Sequence, residues 1–372
     1  MSEARIDSLS NESNTGGPTL SGITTFSGTN YFVPPVGNTA ERPENPEKGS
    51  IRFNTDSAKL EYFKGDSIGW SDIEATHDEL DGGTRGFILG GATPSQSSKI
   101  DYHNLSSPGT FEEFGDLFSG RYGLSATSSK SRAVMFGGYG SNNDTIDYLT
   151  MATKGDSIDA LNLSVNHKYG AAFGNGTRAC IAGSYYPAQI NNISYTDIAT
   201  LGFSDDFGDL SKKRGIMEAA NSTTRGIIGG GYSDSNAPTL TIDYVNTASR
   251  GNAVDFGDCV PYTGQSGAAC CNAVRGLWGG SYNVTIGYIT MATLGNMLDF
   301  GDAVHAWGHR FGMSSSTRGF WAGGKSPSSP YPPQTDVDYV EIATMGDAKD
   351  FGDLTTARSA GGGTSNGHGG LG

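Results

Sequence analysis

The sequence predicts an all-β protein: a six-bladed β-propeller closed by a C-terminal strand and preceded by a small N-terminal β-hairpin module. Three observations predict it. A motif recurs six times over residues 76–372, glycine reaches 56 of 372 residues, and a strand-like segment is left over after the sixth copy.

The repeat is anchored on an arginine that opens a short apolar run ending in small residues. The runs begin at Arg85 (RGFILGG), Arg132 (RAVMFGG), Arg178 (RACIAGS), Arg225 (RGIIGGG), Arg275 (RGLWGG) and Arg318 (RGFWAGG). They recur about every 47 residues. Some 15 residues after each arginine comes an I-x-Y triplet, with Tyr102, Tyr148, Tyr195, Tyr244, Tyr288 and Tyr339. A D-F-G-D element follows, as at Asp206, Asp255, Asp299 and Asp350, with E-F-G-D at Glu113 and a departure, DALNL, at Asp159. A small-residue strand such as RYGLSATSS, from Arg121, leads into the next arginine.

These stretches are too short for helices and rich in β-branched and aromatic residues bounded by turn formers. A run such as Phe87-Ile88-Leu89 is apolar on both faces, as a strand sandwiched between sheets must be. Glycine pairs at its end allow positive φ and close backbone approach. Three or four short strands per repeat match one propeller blade. A solenoid would need atypical capping repeats, and the sixth copy is as regular as the others. Copy one lacks its small-residue strand, reading HDELDGG over 77–83, while Ala357–Ser365 (ARSAGGGTS) is spare. Pairing the two would close the ring and remove exposed edges. Residues 366–372 are too few for a seventh blade.

Residues 1–75 do not share the repeat. Residues 1–30 are polar and predicted to be an extended attachment arm. In 31–75, IRFNTD followed by KLEYFKGDSIGW reads as a hairpin turning at Thr55–Ala58. Ile51, Phe53, Leu60, Tyr62 and Trp70 are expected to share one apolar face.

The net charge of −14 disfavours nucleic acid, which needs clustered Lys and Arg. No apolar run approaches 18 residues and the N-terminal segment has no apolar signal core, so membrane insertion and signal-directed export are not expected. Cys180, Cys259, Cys270 and Cys271 form no disulfide framework or C-x-x-C pair and are expected to be small buried residues.

Repeated arginines and aspartates are expected to latch within or between blades rather than to bind ligand. The six tyrosines are expected in the core or between blades. His305 and His309 are separated by Gly308 and make no convincing metal pair. Some acidic loops could suit Ca²⁺, but none has EF-hand spacing, so no metal and no cofactor is expected. No catalytic residue is assigned, because a glycosidase pair would have to come from nonrepeated carboxylates. The chain is read as not an enzyme. The loops after the small-residue pairs differ most between copies, and variable loops carry binding surfaces. Tyr139, Tyr185, Tyr186, Tyr232, Tyr282 and Tyr331 are the candidate ligand-facing residues, suited to sugar or protein contact.

The pattern R-x-G-L-S…T-R-G-x-x-x-G-G…I-D-Y resembles kelch repeats. The version carrying D-F-G-D-L resembles kelch-like virion proteins of cyanophages and related tailed phages. T-A-E-R-P, G-S-I-R-F-N-T-D, L-E-Y and Trp70 resemble a small β module of phage tail-fibre proteins. The resemblance implies a bacteriophage virion structural protein, tail-fibre or tail-associated, made in the host cytoplasm. It implies attachment to other virion proteins through residues 1–75, a homo-oligomer (a trimer in tail fibres), and an outward propeller contacting a host-surface glycan or protein. The alternatives are a capsid decoration or tail scaffold without receptor binding, a polysaccharide-degrading enzyme, and a cellular kelch-type interaction module.

Overall fold

The computed structural model describes residues 34–56, 59–73, 84–140, 143–259 and 267–371. The expected arm over 1–30 and the HDELDGG segment lie outside them. Contacts divide the chain into two units, 1–77 and 78–372. Among the described residues there is no α-helix, only two 3-10 turns, Thr39–Glu41 and Gly369–Leu371.

The first unit is a four-stranded sheet rather than a simple hairpin. Ile51–Asn54 and Lys59–Phe63 pair antiparallel, Trp70–Asp72 extends one edge, and Val36–Gly37 adds a parallel strand at the other. The register corrects one expectation. Ile51 pairs with Tyr62 and Phe53 with Leu60, so these four share a face, but Trp70 pairs with Phe63 and lies on the opposite one. There the resembled motif becomes a polar network. Buried Glu61 accepts from Arg42 and Asn54 and faces Arg52 at 3.3 Å. Asn54 also donates to Thr39, and Asn38 and Glu41 cap the 3-10 turn reciprocally.

Among the described residues the second unit contains six larger antiparallel sheets, five of four strands and one of five, in which Tyr232–Ser233 adds an edge, together with two two-stranded ones. One consists of Ser125–Ser128, Arg132–Phe136, Thr145–Thr150 and Ile158–Asn162. Four more repeat this arrangement along the chain. In the remaining one Gly362–Ser365 pairs with Arg85–Leu89, which pairs with Lys99–Asn104 and then Glu112–Asp116. Gly362 faces Leu89 and Ser365 faces Gly86, so the strand missing from the first copy is supplied by the far end of the chain.

The apolar cores lie between sheets rather than within one. Phe87 and Leu89 join the core shared with the second copy, whereas Ile88 points the other way into the core shared with the sixth. Period-two alternation along a doubly covered strand produces this division. Adjacent Cys270 and Cys271 divide in the same manner, one into each flanking core, and all four cysteines are free and buried. Burial pushes the Cys180 and Cys259 thiols up to about 12, consistent with packing rather than redox chemistry.

Each first strand packs against the first strand of the next sheet, and Gly362–Ser365 packs against both Phe311–Ser314 and Ser125–Ser128. Main-chain bonds join the same neighbours. The D-F-G-D phenylalanine carbonyl accepts from a glycine N–H of the next copy at Phe114–Gly155, Phe207–Gly251, Phe256–Gly295, Phe300–Gly346 and, from last to first, Phe351–Gly109. The second copy is the exception. It has Ala160-Leu161 where the others have Phe-Gly, and Leu201 and Ala160 pack at that junction instead.

Candidate functional site

Three layers of repeated or near-repeated residues define the second unit, and only the third varies enough to carry recognition.

The first layer is the set of six opening arginines. Arg85 Nη1 donates to the Met151 and Ala152 carbonyls at 2.8 and 2.9 Å. Arg132 does the same to Ile198 and Ala199, Arg178 to Thr247 and Ala248, and Arg275 to Ile342 and Ala343. Arg225 reaches Met291, and Arg318 reaches Ser106 of the first copy. In every case the acceptor follows the third strand of the next sheet. Each guanidinium also lies over the I-x-Y tyrosine of its own sheet, 5.0–5.7 Å from the ring of Tyr102, Tyr148, Tyr195, Tyr244, Tyr288 or Tyr339. The arginines therefore do latch between sheets, but onto carbonyls and rings. The expected partner, the D-F-G-D aspartate, is not the one they use, because those aspartates lie on the fourth strand.

The second layer was not foreseen. The aspartate of I-D-Y (V-D-Y in the sixth copy) is buried and paired, in four copies, with a different arginine, one that precedes the first strand. The pairs are Arg121–Asp147, Arg214–Asp243 at 2.9 Å, Arg310–Asp338 at 2.6 Å and Arg358–Asp101 at 2.6 Å. The two copies without the aspartate also lack the arginine. In copy three Ser194 replaces the aspartate and His167 the arginine; Nε2 lies 2.9 Å from Ser194 Oγ and Nδ1 donates to the Gly183 carbonyl at 2.7 Å. In copy five the residue is Gly287 and the aligned arginine position is Gly264, outside the described residues. Burying one charge without the other costs several kcal/mol, so the two change together. Comparing copies for joint changes would have pointed to this pair except in the sixth, where the aligned position is Trp307 and Arg310 reaches Asp338 from three residues further along.

The third layer is aromatic. Tyr232, Tyr185, Tyr186, Tyr139 and Tyr122 form a continuous series of ring contacts at 4.9–6.3 Å. From Tyr122 the series runs to Tyr169, then His309, then Tyr282. Five of the six candidate loop tyrosines are thus brought together. Tyr331 is 55% exposed and stands outside the series. Lys168 Nζ lies 4.9 Å from the Tyr139 ring. His305 stacks on Trp307 at 4.1 Å and lies 3.5 Å from Asp336, so it and His309 serve different neighbours rather than one ion. Among the described residues no group of His, Cys, Asp or Glu could hold a metal.

Tyr122, Tyr169 and His309 were missed by sequence reading. Tyr169 and His309 have φ of 55°, at the station where copy two has Gly123. Bulky residues in the left-handed region carry strain on the order of 1–3 kcal/mol. Here the strain directs two rings over a cavity of about 120 Å³ lined by the first strands of all six sheets. Glu218 also lines it, where other copies have Ser125, Ala171, Ala268, Phe311 or Gly362. Its Oε1 accepts from Gly267 N–H at 2.6 Å, its Oε2 is buried without a hydrogen-bond partner, and burial raises its pKa to about 8. His368 donates to the Ser128 carbonyl at 2.9 Å and accepts from Asn221.

Neither protein-family models nor curated proteins give a match to this chain.

Proposed function

We propose that the six sheets are blades of a closed, kelch-like propeller, and that the chain is a bacteriophage virion structural protein of tail-fibre or tail-associated type. In this reading residues 1–75 attach it to other virion proteins and the aromatic face contacts the host surface. Repetition of the arginine latch and the Phe–Gly bond from the last copy back to the first supports ring closure. The N-terminal motif supports the virion setting. The reading assigns no catalysis and no cofactor.

The observation that carries host recognition is the ring series itself. It is built from loops that differ among copies, whereas the latches and cores are built from what the copies share. Tyrosine presents a rigid apolar face for stacking on a sugar ring and a hydroxyl for hydrogen bonding, at low entropic cost.

Two measurements test it. Gold-labelled antibody against residues 84–371 should mark the tail of purified virions; label over the capsid would favour a decoration protein, and absence from particles would refute the virion reading. Purified full-length protein should compete with virions for adsorption to host cells. Tyr139→Ala with Tyr186→Ala should abolish that competition while leaving the fold intact. Undiminished competition would remove the aromatic face from the reading.

A further inference from the structure

The cavity beneath Tyr169 and His309 has aliphatic walls and one unsatisfied polar group. Leu124, Ala126, Ala172, Met217, Ala219 and Ala269 line it, with glycines between them. The other polar side chains in its lining are already engaged. Ser125 Oγ donates to the Gly170 carbonyl, and Arg310 donates to Asp338 and to the carbonyls of Gly323 and Trp321. Glu218 differs. It is 6% exposed, and its Oε2 is buried with no hydrogen-bond partner. A buried polar atom left unpaired calls for an explanation. The repeat does not supply one, because Glu218 alone among the six equivalent first-strand residues can ionise.

The rim of the cavity is built from backbone. Gly123, Tyr169, Ile216, His309 and Ala360 line it with φ between 55° and 64°. The Gly123 N–H donates to the Ala360 carbonyl, Tyr169 to Gly123, Ile216 to Tyr169, and Ala360 to His309. From this rim the Tyr169 and His309 rings meet with centroids 6.2 Å apart.

We propose that the cavity is a binding site for a small primary alkylammonium ion, which donates a hydrogen bond to Glu218 Oε2 and lays its chain along the alanines. Oε2 requires a donor, and a cationic donor also balances an ionised carboxylate. The chain provides no free cation for this. Burial raises the pKa of Glu218 to about 8, the opposing pull of Arg214 is the weaker effect, and Arg214 is tied to Asp243. Methylene groups match the alanine walls. The volume of about 120 Å³ sets the size at about five heavy atoms, since a cavity of about 150 Å³ holds benzene. The two rings keep water from the ion pair and so strengthen it. A hard metal ion fits less well, because it takes six or more oxygen ligands and no second carboxylate is among the described residues of the lining. The inference rests on this cavity alone and is independent of the virion reading.

Isothermal titration of the full-length protein with n-butylammonium chloride at pH 8 tests it, with 1-butanol as a neutral ligand of the same size. The wild type is expected to bind one butylammonium with a Kd of about 1 mM or tighter, and 1-butanol at least about tenfold more weakly. Glu218→Gln preserves shape and should bind butylammonium no better than 1-butanol. Tyr169→Gly keeps the carboxylate and a residue suited to the rim, as Gly123 is, and should weaken binding by about threefold or more by admitting water. Absence of binding to the wild type would overturn the proposal, as would equal affinity for 1-butanol or an unchanged affinity in Glu218→Gln. Displacement of butylammonium by millimolar Ca²⁺ would also overturn it and give the site to a metal ion. Should Glu218→Gln fail to fold, the wild-type comparison of the two ligands decides by itself.

Discussion

Arg214 Nη2 and Asp243 Oδ2 lie 2.9 Å apart, and neither side chain is exposed to solvent. The arginine also donates to the carbonyls of Gly230 and Ile228, and Ser211 Oγ donates to the aspartate. The pair joins the approach to the first strand to the third strand of the same sheet.

Removing one partner leaves a buried charge without compensation. Asp243→Ala is expected to destabilise the protein by about 3–5 kcal/mol. The double substitution Arg214→His, Asp243→Ser copies the arrangement at His167 and Ser194 and should recover at least half of the loss. Guanidinium unfolding midpoints compare the three proteins. Equal damage in the single and double variants would show that the charge pair is not what the site requires.

Stability should respond to pH in two opposite ways. Burial lowers the pKa of His167 and His368 to about 4, from 6.5 in an unfolded chain. Between these values the unfolded chain takes up protons that the folded one refuses, so stability is full above pH 6.5 and falls as pH drops towards 4. Each histidine accounts for on the order of 3 kcal/mol over that window. Glu218 runs the other way, because its folded pKa of about 8 exceeds the ordinary 4.5. Its contribution is full below pH 4.5 and is lost as pH rises to 8. Thermal melting across this range should show Glu218→Gln gaining on the wild type as pH approaches 8, and a constant difference would refute the assignment.

Gly301 and Gly346 separate backbone strain from steric contact. Their φ values are 148° and 149°, but a Cβ at Gly301 would sit 2.5 Å from the Gly346 carbonyl oxygen, while one at Gly346 would meet nothing within 4 Å. Both alanine variants should lose stability through φ. Gly301→Ala should lose at least about 2 kcal/mol more, because the Phe300–Gly346 junction must open. Urea titration of the two variants gives the difference directly.

The arginine latch should not tolerate lysine. Arg132 spans two carbonyls, Ile198 at 3.1 Å and Ala199 at 2.9 Å, and covers Tyr148. Arg132→Ala is expected to cost about 2 kcal/mol. Arg132→Lys, a point charge without the planar fork, should restore less than half of that. Full rescue by lysine in the same unfolding assay would mean that charge alone matters.

The repeated short strands, the C-terminal strand that completes the first copy, and the loops that carry Tyr139, Tyr185, Tyr186 and Tyr232 were legible in the sequence. The reason is that six copies of one pattern report the same local chemistry six times. The partner of each opening arginine was not legible, because an acceptor carbonyl has no sequence signature. Nor was the polar interior of the first unit. Alternation put Ile51 and Leu60 on one face, but only pairing showed that Glu61 and Arg52, not they, are buried.

The sequence by itself determined an all-β chain of short strands, with small residues where backbones must meet and a strand held back to pair with the first copy. Period-two alternation and the φ demands of glycine act within a few residues, so they can be read along the chain. The tertiary structure decided what lies between sheets: which carbonyls receive each opening arginine, which core receives Cys270 and which Cys271, and how Tyr169 and His309, more than a hundred residues apart, come to face one another over a common cavity. Those contacts depend on how neighbouring and opposite sheets sit together in space, a relation that no local pattern encodes.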